Sequence, residues 1–273
     1  MLPSWRDRVS VEFSPHCITW VRLSRGLRPA LLAKGVEQVV AQPEHDSWHA
    51  PLEVLKDRMQ ANDWKGAELT IVLSNHFVHY DCLPWNEAIK NENELLALAR
   101  HRMTSVYGPE AQSWELRLSP AAKGESRVVA AVEGALVQAL KESVAGAGIS
   151  LQSVQPCLMA CFNSTAKQLA MDDGWFVIAE PGRFALAQFQ GGRWQRIHLR
   201  RGEGIDALHD WLERENMTSN QEVPDREVFL FAPGLARDAS LPSYLLHWLE
   251  LPACDGYSPV TDTTYAIAMS GVA

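Results

Sequence analysis

The chain has 273 residues, 47% of them hydrophobic and 21% charged, and a formal net charge of −8 at pH 7. This is the balance of an ordinary globular protein, long enough for one large domain or two smaller ones, and the acidic balance argues against a broad nucleic-acid surface, whose footprint is a basic patch. No run approaches the roughly 18 consecutive apolar residues of a spanning helix, the opening MLPSWRDRVS lacks the apolar middle of a secretory leader, and the five scattered cysteines do not form a disulfide framework.

In chain order, residues 11–13 and 18–23 are predicted strands joined by a tight turn, Ser14-Pro15-His16-Cys17, and residues 31–40 make a third strand paired with the second. Residues 43–49 are read as loop, and Leu52, Leu55 and Met59 fall at helical spacing. The β-rich run 69–73 (LTIVL) reads as a buried central strand. A turn at Ser74-Asn75 then leads into a strand at 77–82 that stops at Leu83-Pro84. Residues 86–106 are predicted as one long helix ending at the breaker pair Gly108-Pro109. Residues 114–118 and 127–132 alternate as a hairpin, 137–145 is helical, and a short apolar helix follows Pro156 at 157–162.

From residue 175 the pattern repeats. Strands at 175–179, 184–189 and 194–199 are separated by turns at Pro181-Gly182 and Gly191-Gly192, and a helix at 202–216 presents Ile205, Leu208, Trp211 and Leu212 on one face. A buried strand at 228–231 is followed by Ala232-Pro233-Gly234, an apolar helix at 241–249 and a last short helix at 266–269. Two halves that each open on a three-strand meander point to an internal duplication rather than a solenoid, because the period is long and occurs twice.

The chemistry-bearing residue types read plainly. Cys157 and Cys161, four apart, are expected to be buried thiols on one helix rather than zinc ligands. His76 and His79 fall on opposite faces of a strand, so no shared metal is expected. Arg193, Arg196, Arg200 and Arg201 read as a solvated rim, and the tryptophans as core or cleft wall. The chain has no Gly-x-x-x-x-Gly-Lys loop, no Gly-x-Ser-x-Gly elbow and no His-Glu-x-x-His helix.

The order of these pieces resembles the actin-like (ribonuclease-H-like) ATPase fold, an α/β class in which two related subdomains face each other across a nucleotide cleft. Within it, the chain is similar to PilM-type pilus-assembly proteins and to the cytoplasmic half of the type II secretion protein GspL. VEFSPHCITWVRL stands where that family has its opening phosphate hairpin, LTIVLSNHFVHYDCLP resembles its strand-turn-strand ending in Leu-Pro, and NENELLALARHRMTSVYG its long helix. RVVAAVEGALVQALKESVAGAGISLQSVQP resembles the passage into the second half, and WFVIAEPGRFALAQFQGGRWQRIHLRRG the second phosphate hairpin. VFLFAPGLARDASLPSYLLHWLELPA is similar to the adenosine turn, and TTYAIAMSGVA to the domain's end. The resemblance implies a first half at 1–165, with a small subdomain inserted at about 74–135, and a second half at 166–273.

It also implies where a nucleotide would bind: Glu12 and Ser14 in the first hairpin, Glu180, Gly182 and Arg183 in the second, and Gly234 in the adenosine turn. Each element departs from the working pattern. Glu12 replaces an aspartate, Pro15 removes an N–H donor from the first turn, and no lysine follows. Pro181 stands in the second turn, and Ala232 and Pro233 displace glycine from the third. The expectation is a non-catalytic protein with no cofactor, although Arg183 could still meet a phosphate. The implied role is a cytoplasmic scaffold of a type IV pilus or type II secretion-like machine, at the inner face of the inner membrane. It docks the cytoplasmic tail of a bitopic PilN-like inner-membrane protein between its subdomains, contacts the assembly ATPase, and binds no nucleic acid. GspL-type relatives continue into a membrane helix, so a chain ending at Ala273 is read as free-standing or as an excised domain. The alternative is an active ATPase or sugar-kinase-like enzyme in which Glu12 and Glu180 hold magnesium.

Overall fold

The structure, a computed structural model, describes residues 6–40, 48–169, 172–218 and 227–272. The chain opens with β1 (Arg8–Phe13), β2 (Cys17–Leu23), β3 (Leu31–Gln38), α1 (His49–Met59) and β4 (Glu68–Leu73). Next come β5 (His79–Leu83), α2 (Glu92–Tyr107), β6 (Trp114–Leu118), β7 (Arg127–Glu133), α3 (Gly134–Gly146), β8 (Ser150–Pro156) and α4 (Cys157–Thr165). The last elements are β9 (Gly174–Glu180), β10 (Arg183–Gln190), β11 (Arg193–Arg201), α5 (Gly204–Thr218), β12 (Glu227–Phe231), β13 (Leu245–Trp248) and α6 (Ala266–Ser270).

The chain divides into two compact units. One gathers the described residues of Met1–Phe77, Ala135–Ala166 and Glu250–Ala273, and the other those of Val78–Gly134 and Lys167–Leu249.

The first unit is built on a five-stranded sheet of order β3-β2-β1-β4-β8. β1 pairs antiparallel with β2 and parallel with β4, so its backbone is satisfied on both edges. Residues Val9 to Phe13 are all buried, as a strand covered on both faces requires. α1 packs on β2 and β3, α4 on β4 and β8, and α6 across β1, β2 and β4. The end of α6 comes very close to the sheet. A Cβ built on Gly271 would lie 2.4 Å from Ser10 Oγ and 2.8 Å from Val72 Cγ2, so only glycine fits without repacking.

The second unit repeats the plan with the order β11-β10-β9-β12-β13. β9 again pairs antiparallel with the hairpin strand β10 and parallel with β12, and all seven of its residues are buried. Leu208 and Leu212 of α5 meet Trp175, Val177, Phe184, Leu186 and Leu230 in one core cluster. The same unit carries a three-stranded antiparallel sheet, β5-β7-β6, covered by α2 through Ala99 and Met103.

Four sequence expectations change. The apolar run 241–249 is not a helix. Ser243 takes φ +68, and Leu245–Trp248 forms β13, parallel to β12. A short apolar run is ambiguous by periodicity, and here pairing with an open strand edge decides it. Residues 150–156, to which the sequence assigned no element, form β8, whose burial is intermediate nearly throughout and shows no clear alternation. The long helix begins at Glu92, not at residue 86, because Asn91 caps it: its Oδ1 accepts the Glu94 N–H at 3.0 Å, and Glu94 Oε2 accepts the Lys90 N–H at 2.8 Å. Of the predicted 43–49 loop, 43–47 lie outside the described residues and His49 already begins α1.

Other expectations hold. Gly191 and Gly192 form the predicted two-residue turn with φ of +55 and +69, the signs a type I′ hairpin needs. Cys157 and Cys161 are fully buried on α4 with their sulfurs 3.8 Å apart. No helix among the described residues is long and apolar enough to cross a membrane.

Truncating Leu212, which is fully buried beneath the second sheet, is expected to cost about 2–5 kcal/mol in chemical denaturation, through lost transfer energy and the cavity left behind. Val260→Ala, at a side chain 71% exposed, is expected to stay within about 0.5 kcal/mol of the parent.

Candidate functional site

The two hairpins that the sequence singles out are built differently. In the first unit, Glu12 and Ser14 lie two residues apart at the β1–β2 turn, and both are buried. Ser14 Oγ accepts the backbone N–H groups of His16 (3.3 Å) and Cys17 (3.1 Å) and donates to the Cys17 carbonyl (2.8 Å). The Ser14 N–H also reaches the Cys17 carbonyl at 3.3 Å. Pro15 has no N–H to give. Every backbone donor from Ser14 to Cys17 is therefore committed inside the turn, whereas a phosphate-binding loop aims such donors outward at the ligand. Burial and the Glu12 carboxylate push the Cys17 thiol up from its ordinary range, leaving it a neutral partner in this closed turn.

In the second unit, β9 and β10 are joined by only two residues, Pro181 and Gly182, with Glu180 and Arg183 as the closing pair. Pro181 at the first central position and Gly182 at φ +74 in the second match a type II turn. Glu180 and Arg183 are both buried. Gly234 lies beyond the end of β12, at a central position of the turn closed by the Leu235 N–H on the Ala232 carbonyl at 3.1 Å. A Cβ there would meet nothing within 4 Å. The predicted residues thus group as Glu12 with Ser14 on one hairpin and Glu180, Gly182 and Arg183 on the other, with Gly234 on a separate loop.

The arginine-rich edge strand is more than the solvated rim expected of it. β11 runs Arg193–Arg201 along one edge of the second sheet. Its Arg196, His198 and Arg200 converge on Glu215 of α5, which is only 3% exposed. His198 Nδ1 lies 2.7 Å from Glu215 Oε2, Arg200 donates to Oε1 from Nε (3.0 Å) and Nη2 (2.5 Å), and Arg196 Nη2 donates to the Glu215 carbonyl at 3.0 Å. Burial raises the carboxyl's pKa, but the hydrogen bonds and charges of His198 and Arg200 outweigh it and hold the group at about 2. A lone glutamate in an amphipathic helix gives no sequence signal for this role.

Two cavities open within the second unit. One, of about 280 Å³, is lined by His79, Tyr80 and Tyr107 together with Arg183 and residues 197–201. His79 lies flat on Trp114, with ring centroids 4.4 Å apart and an interplanar angle of 6°, and it also touches Tyr107. The other, also about 280 Å³, is a groove between the end of β5 and the start of α2, where Leu83, Pro84, Ile89 and Leu95 surround Trp85. Trp85 is 42% exposed, unusual for so large an apolar side chain in this molecule. Among the described residues, no group of three or more His, Cys, Asp or Glu side chains is arranged to hold a metal ion.

Because the folded Glu215 pKa lies below the unfolded value of about 4.3, its ion pairs stabilise the protein fully above that pH, and the contribution is lost as pH falls toward about 2. Glu215→Gln is expected to flatten the acid limb of stability against pH. The difference from the parent should reach on the order of 2 kcal/mol at neutral pH, allowing for water at His198 and Arg200, and shrink toward pH 2. Urea denaturation of both proteins across this range measures it.

No family model matches the chain, and no curated protein matches it in sequence. Solved structures do. A chain of the PilM–PilN type IV pilus biogenesis complex is similar over 97% of this chain and 97% of its own length, with a TM-score of 0.70 at 15% identity. The cytoplasmic domain of EpsL, an inner-membrane component of the type II secretion system of Vibrio cholerae, is similar over 97% and 94%, with a TM-score of 0.59 at 12% identity. A protein of Bacteroides thetaiotaomicron with an actin-like ATPase fold is similar over 85% and 84%, with a TM-score of 0.55 at 10% identity. Two sheets of the same strand order, each opening on an antiparallel hairpin and continuing with parallel strands, agree with these likenesses: this chain has the actin-like ATPase fold.

Proposed function

We propose that this protein is a non-catalytic scaffold of a type IV pilus or type II secretion-like assembly machine. In this reading it works in the cytoplasm at the inner face of the inner membrane, docks the cytoplasmic tail of a PilN-like bitopic protein, and contacts the assembly ATPase. The observation that carries the reading is the end-to-end likeness to a chain of the PilM–PilN complex, 97% of each chain at a TM-score of 0.70. The self-closed Ser14 turn supports the non-catalytic part, since its donors are used within the hairpin. Glu12, Ser14, Glu180, Gly182, Arg183 and Gly234 are then the remnants of phosphate and adenosine turns. Residues 1–165, with their insertion at about 74–135, and residues 166–273 are the duplicated halves, a reading supported by the matching sheet orders.

In place of the expected docking between the subdomains, the surface we propose for the tail is the Trp85 groove within the second unit, because short peptides bind through apolar pockets anchored by large side chains. Lys90, Glu92, Glu125 and Arg127 give it a polar rim. A second reading, an active ATPase or sugar-kinase-like enzyme, has one observation in its favour: Glu12 and Glu180 are both buried acids at hairpin ends.

Calorimetric titration with synthetic cytoplasmic tails of PilN-type proteins tests the scaffold reading. Saturable binding by at least one tail, weakened about tenfold or more in Trp85→Ala, is the expected result. Absence of binding by every tail overturns the partner, and binding indifferent to Trp85 overturns the groove.

A further inference from the structure

Two turns at one end of the first sheet share a construction that the phosphate resemblance does not explain. β1 and β4 run parallel with Phe13 opposite Leu73, so the residues that follow them leave the sheet side by side. Each strand continues as Ser-x-His: Ser14-Pro15-His16 after β1, and Ser74-Asn75-His76 after β4. In both, the serine hydroxyl accepts the backbone N–H of the histidine two residues on, at 3.3 Å for His16 and 3.2 Å for His76. The Ser74 N–H donates to the Phe13 carbonyl at 3.0 Å and carries the pairing of the strands into the turns. The matched turns bring the two imidazoles together, with ring centroids 5.5 Å apart and planes at 86°. His16 is exposed and His76 half-buried, so the pair is reachable from solvent.

We propose that His16 and His76 together bind a divalent transition-metal ion, of which zinc is the representative case. Imidazole nitrogen suits zinc, nickel and copper, whereas magnesium and calcium take oxygen ligands. Two imidazoles bound at about 2.1 Å to one ion with tetrahedral spread have centroids roughly 5 Å apart, close to the separation already present. Turning one ring about χ2, a broad torsion in histidine, aims an edge nitrogen of each at the shared point. Each ring keeps its second nitrogen for a protein partner, the usual arrangement of a ligating histidine. The Cys17 sulfur lies against the Ser14 and Thr19 hydroxyls, at 3.6 and 3.5 Å. Among the described residues no third His, Cys, Asp or Glu is arranged with the pair, so water fills the remaining positions and the ion is exchangeable. It ties the opening hairpin to the segment just before Val78, where the chain passes from the first unit into the second. Both ligands belong to the first unit, and the site does not depend on the pilus reading.

The full chain, labelled with nitrogen-15 in its histidine rings, is titrated with zinc chloride in one arm and magnesium chloride in the other, and read by NMR at the ring nitrogens. The expected result is saturable movement of the His16 and His76 signals together, at about 0.1 mM zinc or below, with no movement in magnesium. Zinc affinity should fall about tenfold or more in His16→Ala and in His76→Ala, because each variant leaves a single ligand. It should be unchanged in His101→Ala, an exposed position on α2 in the second unit. Saturating zinc should also raise the melting temperature of the parent and not that of either ligand variant. His16 is exposed at a turn, so its substitution tests the site even if the half-buried His76 proves necessary for folding. No saturation of either ring by zinc, movement of one ring without the other, or equal affinities in the parent and His16→Ala overturns the proposal.

Discussion

The structure depends on one arrangement used twice: a central strand paired antiparallel on one edge and parallel on the other. β1 and β9 hold that position, and both are almost wholly buried. A strand with its backbone satisfied on both edges and apolar cover on both faces fixes register strongly, because a one-residue slip would turn every side chain to the wrong face. The remaining elements follow from it. The hairpin partners β2 and β10 must return by tight turns, and the parallel partners β4 and β12 must arrive by way of a helix, α1 or α5. The terminal α6 then settles so close to β1 and β4 that Gly271 has no room for a side chain.

Because the framework sets only where each turn emerges, turn chemistry is free to differ. In the first hairpin, Ser14 folds its hydroxyl back on the N–H groups of His16 and Cys17. In the second, Pro181 and Gly182 make the shortest reversal, so the two prolines that look equivalent in sequence serve different turns. The shared outcome is two well-satisfied hairpins. The same framework carries the Trp85 groove and the arginine-lined cavity of the second unit.

Much of the framework was legible in the sequence because its strongest signals are local. β-rich runs such as LTIVL and VFLF, glycine pairs at hairpin turns, and the apolar face of α5 each mark an element without reference to its neighbours. What was not legible depends on distant partners. Residues 245–248 become a strand because β12 offers an open parallel edge, and β8 is recognisable only beside β4. The candidate site divides in the same way. Pro15 and Pro181 announce altered turns in the sequence itself. The commitment of Ser14 to two donors, the convergence of Arg196, His198 and Arg200 on Glu215, and the facing of Arg183 and Arg201 arise only from folded register.

The central claim is that the fold has been kept while its first phosphate turn has been closed on itself. Backbone amide NMR of the full chain with increasing Mg-ATP tests this most directly, read at His16 and Cys17. Unmoved His16 and Cys17 resonances, with no rise in melting temperature at saturating nucleotide, are the expected result. Saturable movement of those two amides, with a melting rise that disappears in Glu12→Ala, would contradict the claim and restore a working nucleotide site.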